Sequence, residues 1–107
     1  MRENHPFQNP KTLKLFHEDG PTSRSIYAKI SDSGDLVIEA QDVGEAPRNF
    51  NPDHDSDYEW FVKVRAENKD LLLLTLIDSL FGGKFSASAD FEKWLKEKEI
   101  PSEFFSY

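Results

Sequence analysis

A chain of 107 residues with 13 basic and 20 acidic side chains, net charge −7, has the length of one domain and no electrostatic drive toward phosphate backbones or anionic lipid. The absence of cysteine excludes disulfides, thiolate catalysis and cysteine-ligated zinc, and no apolar run approaches the ~20 residues of a membrane-spanning helix. Nine Phe, three Tyr and two Trp bring large area per residue, so a 37% apolar content suffices for a core.

Residues 1–11 hold two prolines and no periodicity, which predicts an irregular leader without the apolar stretch of a signal peptide and so a cytoplasmic protein. A single domain over 12–107 follows. Leu13 and Leu15 alternate in the first strand, which Glu18-Asp19-Gly20-Pro21 ends. From Ser25 to Gln41 the pattern is a hairpin: Ile26, Ala28 and Ile30, a Ser31-Asp32-Ser33-Gly34 turn, then Leu36, Ile38 and Ala40. Residues 41–57 carry Pro47 and Pro52 and no period, which predicts a long connection rich in acids. Tyr58, Trp60, Val62 and Val64 alternate in a fourth strand, with Phe61 an aromatic on its polar side.

Asn68 is a candidate cap for a helix in which Leu71 to Leu74, Leu76, Ile77 and Leu80 cover more than half the circumference, a pattern that predicts burial against several neighbours. Gly82-Gly83 stops it. Ser88 is a candidate cap for a second, amphipathic helix with Phe91, Trp94 and Leu95 on one face, stopped by Pro101. The aromatics Phe104, Phe105 and Tyr107 are expected to fold back beneath that helix, because water is a costly place for them. The predicted fold is α+β: a four-stranded, mainly antiparallel sheet followed by two helices packed on one face.

Gly34-Asp35-Leu36-Val37-Ile38-Glu39-Ala40-Gln41-Asp42, Tyr58-Glu59-Trp60-Phe61 and Trp94-Leu95 with Ile100-Pro101-Ser102-Glu103-Phe104 together resemble a group of small uncharacterised bacterial proteins. Their pattern is an LVIEGQD-like strand, an EYEY-like strand and a WL…IP.EF-like ending; Ala40 stands where it has glycine. The resemblance implies a bacterial origin and the same element order, but no activity and no catalytic residues. Some members are similar to immunity partners of secreted toxins in size and acidity.

Local chemistry signatures are weak. Asp53, Asp55 and Asp57 alternate like the start of a calcium loop, yet Tyr58 falls where the loop needs glycine and Val64 where it needs a bidentate glutamate. His5, His17 and His54 lack helical zinc spacing, no Gly-x-Ser-x-Gly elbow occurs, and Gly82-Gly83-Lys84 lacks the residues of a phosphate loop. Glu39, Asp42, Glu45 and Glu59 become an acid/base pair only within a pocket. If Leu13, Ile26, Ile38 and Trp60 face the helices, then Phe16, Tyr27, Val37 and Phe61 lie on the outer face among Lys14, Lys29, Glu39 and Lys63. Such a face is either a protein interface or a solvated surface of cross-strand pairs.

The sequence thus points to a non-enzymatic, immunity-type interaction module without a cofactor, in which Asp42, Glu45, Asp53, Asp55 and Asp57, with Phe16, Tyr27 and Phe61, engage a basic protein partner. The alternative is a small-ligand or divalent-metal module using the acidic loop 42–57. A homodimer through the outer sheet face is compatible with both.

Overall fold

A computed structural model describes residues 12–45, 47 and 57–107. Four strands, β1 (Thr12–Glu18), β2 (Thr22–Ile30), β3 (Leu36–Gly44) and β4 (Asp57–Val64), precede a 3-10 turn (Ala66–Asn68) and two helices, α1 (Lys69–Phe81) and α2 (Ala87–Glu97). The fold is α+β, with one antiparallel sheet in the sequential order β1-β2-β3-β4. The residues group into two compact units, Pro10–Lys69 with the sheet and Asp70–Tyr107 with the helices.

Short reversals explain the sequential order. Nine pairs join β2 to β3, from Ile30↔Leu36 at the turn to Thr22↔Gly44 at the far end. The turn is closed locally: Gly34 donates its N–H to the Ser31 carbonyl at 2.8 Å, and Gly34 takes a φ of +86° that side-chain-bearing residues avoid. β3 has partners on both sides, so it holds the buried residues of the sheet, Val37, Ala40 and Asp42. Val37 is flanked in register by Lys29 and Lys63, residues whose aliphatic stems can cover an apolar neighbour.

Asp35 ties the hairpin to the segment after β4. Its carboxylate accepts the Ala66 N–H at 2.8 Å and the Ser33 hydroxyl at 3.1 Å, while the Ser31 hydroxyl accepts the Asp35 N–H at 3.1 Å. The Ala66 bond first, and Ser33 second, hold the Asp35 carboxyl below the usual carboxylate range. Asp35→Ala removes the acceptor of the 3-10 turn's first N–H. Hydrogen exchange at Ala66 should accelerate in that variant and much less in Asp35→Asn, which keeps an oxygen; equal rates in all three proteins would show that the carboxylate does not hold the turn.

Three expectations need correction. Strand β3 runs through Gly44 and β4 begins at Asp57, so Asp42 belongs to a strand paired on both sides, to Arg24 and Tyr58, and not to a loop. Second, the β1–β2 register slips between Lys14 and Phe16: Lys14 pairs with Tyr27 but Phe16 pairs with Ile26. The extra residue, Leu15, forms a bulge, and a one-residue slip turns every following side chain to the other face. Phe16 therefore shares the face of Ile26 and Ala40, opposite Tyr27 and Phe61. Third, Phe104, Phe105 and Tyr107 are 72%, 66% and 114% exposed and do not fold beneath α2.

In the helical unit, α1 contributes Phe81 to a ring cluster, 5.6 Å from Phe91 and 6.1 Å from Trp94, both edge-on. Phe81 is the buried residue of α1, whereas Leu71, Leu73, Leu74, Leu76 and Leu80 expose 47–70% of their surface. The cap position of α2 falls on Ser86, two residues before the expected Ser88, and the Ser86 hydroxyl donates to Asp90 at 2.9 Å.

Candidate functional site

The register divides the sheet's side chains into two surfaces of different character. On one, Arg24 lies across from Asp42, and its guanidinium donates two parallel bonds of 2.7 and 2.8 Å to the two carboxylate oxygens. The guanidinium also lies 5.2 Å from the centre of the Trp60 ring, which stands 5.3 Å from Tyr58. Asp42 is buried, so the pair is a fixed structural unit; hydrogen bonding from Arg24 holds its carboxyl below the usual range against the opposing effect of burial. This geometry commits Asp42 to Arg24 and removes it from the acids available to a partner.

The opposite surface carries the rows Tyr27–Glu39–Phe61, Ser25–Gln41–Glu59 and Lys29–Val37–Lys63. Phe61 is 56% exposed. Glu39 accepts from Lys29 at 2.9 Å. Ser25, Tyr27, Glu39, Gln41 and Glu59 line a shallow polar notch of about 140 Å³, which presents carboxylate, phenol, hydroxyl and amide groups to solvent. The surface is graded along the strands. Lys29 and Lys63 stand near the β2–β3 turn, whereas Glu59, Asp57 and the exposed Glu45 stand toward the end where β3 passes into the connection to β4. Of the predicted interaction residues, Tyr27, Phe61 and Asp57 therefore share this surface, Phe16 and Asp42 lie on the other, and Asp53 and Asp55 lie outside the described residues.

Sequence spacing gave no sign of a third cluster. His17 and Ser25 are a cross-strand pair; the Ser25 hydroxyl bonds Nδ1 of His17 at 2.9 Å and Nε2 bonds Asp19 at 3.0 Å. A carboxylate only accepts, so Nε2 carries a proton toward Asp19. The chain of carboxylate, imidazole and hydroxyl is open to water, with the Asp19 side chain 82% exposed, and it clasps the turn between β1 and β2. Only the strand register reveals it, because His17 and Ser25 are eight residues apart.

Among the described residues no group of three His, Cys, Asp or Glu is placed to hold a metal ion, and no helix is long and apolar enough to cross a membrane. The metal-loop alternative loses Asp42 to Arg24. No family model, curated protein or solved structure matches the chain.

Proposed function

We propose that this protein is a non-enzymatic interaction module that captures a basic protein partner on the Tyr27–Phe61 face of the sheet, as an immunity-type inhibitor does. The observation that carries the reading is the grouping of an exposed aromatic, Phe61, with Tyr27 in one cross-strand row, bordered by Glu59 and Asp57. Aromatic side chains supply desolvation energy at the centre of an interface, and charges around them select the partner. The net charge of −7 adds long-range attraction toward a basic surface and speeds encounter.

Two variants separate these contributions. Immobilised protein exposed to lysate of the native host at low salt should retain one stoichiometric protein that elutes in a salt gradient. Phe61→Ala should weaken its retention about tenfold or more. Replacing Glu45, Asp57 and Glu59 together by their amides should slow association and flatten its dependence on salt. Retention unchanged by both variants would remove this face from the function.

A further inference from the structure

We infer that Ser25 is an acyl-accepting nucleophile, activated by His17, which takes up one acyl group per chain from an uncharged thioester or other activated ester. Ser25, His17 and Asp19 all belong to the sheet unit, and the strands of that unit hold them. Ser25 sits on β2 between two pairing partners, His17 on β1 and Gln41 on β3, so its backbone is fixed from both sides. Its hydroxyl oxygen lies 2.9 Å from Nδ1 of His17, within the reach that a base needs to take the proton. On the far side of the ring, Nε2 lies 3.0 Å from Asp19, which orients the imidazole. In the neutral ring the single proton faces Asp19, and the lone pair on Nδ1 then faces Ser25.

A nucleophile also needs room for its substrate and donors for the charge that develops on it. Ser25 forms part of the wall of the 140 Å³ notch, together with Gln41 and Tyr27. Gln41 stands directly across from Ser25, and Tyr27 is two residues along the same face of β2, so an amide N–H and a phenol O–H are at hand to donate to the oxyanion. Lys29 pairs with Glu39 in the same notch, which leaves Glu59 to repel anionic acyl donors. The Ser25 proton passes to Nδ1 as Oγ bonds to the carbonyl carbon. The tetrahedral adduct then expels the thiolate, which takes the proton from the imidazolium. One ester on Ser25 and one free thiol result, with nothing oxidised or reduced.

Incubation of the full chain with p-nitrophenyl acetate, followed by peptide mass spectrometry, tests the assignment. Ser25 should gain its acetyl group about a hundredfold faster than the exposed Ser102 and Ser106. His17→Ala should abolish that advantage with far-UV circular dichroism unchanged. Added imidazole should restore part of it, a rescue that a merely structural role for His17 would not give. Equal labelling of Ser25, Ser102 and Ser106 in the wild type would overturn the inference. So would undiminished labelling of Ser25 in a folded His17→Ala variant. Phe61→Ala should label at the wild-type rate, so loss of the protein partner and loss of the acylation are read by separate variants.

Discussion

Gly44→Ala should lower the melting temperature by ten degrees or more, the largest effect expected of any single methyl group added to this sheet. Gly44 has φ +132°, a conformation that side-chain-bearing residues reach only under strain. It also sits where two backbones converge at the end of the β2–β3 ladder: Gly44 pairs with Thr22, and the next N–H, of Glu45, donates to the Pro21 carbonyl at 3.0 Å. A Cβ at position 44 would fall onto the Pro21 carbonyl oxygen and reach 3.0 Å from the Thr22 Cα and 3.1 Å from the Pro21 carbonyl carbon. These are backbone atoms held by their own pairing, so no side-chain rotation relieves the overlap. Strain and overpacking together cost about 3 kcal/mol or more, and each kcal/mol is worth roughly 4–8 °C in a domain of this size. Gly20→Ala is the matched control. There a Cβ meets only the Thr22 carbonyl oxygen at 3.7 Å, an ordinary contact, and the melting temperature should move little. If the two variants melt together, the close approach at Gly44 does not limit stability.

That glycine also marks the boundary of what the residues alone could reveal. Alternation from Ile26 to Ala40 identified β2 and β3 because half the positions on each strand are apolar and the turn chemistry between them is explicit. Past Ala40 the pattern fades, since Gln41, Asp42 and Gly44 are polar or small, although the ladder continues through all of them. Asp42 is buried as an ion with Arg24, so its burial leaves no apolar trace in the sequence. The bulge at Leu15 was illegible for a related reason. Leu13, Leu15 and Phe16 fit either register when read by hydrophobicity, and only pairing with β2 decides which of them faces Tyr27. Helix α1 presents the opposite case: its apolar arc was plain, but periodicity states how much surface is apolar and not which body covers it. The His17–Ser25 pairing is likewise a property of the register.

Asp42→Asn should destabilise the protein at neutral pH and make its remaining stability less sensitive to acid. In the wild type the Asp42 carboxylate is buried between β2 and β4 and accepts both Arg24 bonds, while Arg24 stacks over Trp60. An amide of the same shape presents one acceptor and places an N–H₂ against the guanidinium, so one charge-assisted bond is lost and a donor faces a donor. The cost is about 1–3 kcal/mol, moderated because Arg24 is half exposed and can take up water. The direction with pH follows from proton binding. Arg24 holds the folded-state pKa of Asp42 below its unfolded value, so the unfolded chain binds the proton more readily. The stability contributed by the ionised group is complete above the unfolded pKa, near 4, and is lost as pH falls through the lower folded value. Asp35 has a depressed pKa for a different reason, its bond from Ala66, and keeps its share of the acid dependence in the variant. Urea midpoints of wild type and Asp42→Asn, read by far-UV circular dichroism, should therefore differ most at pH 6 and 7 and converge toward pH 2. A gap that stays constant down to pH 2 would mean that the amide disturbs packing alone and that the charge on Asp42 contributes nothing to the fold.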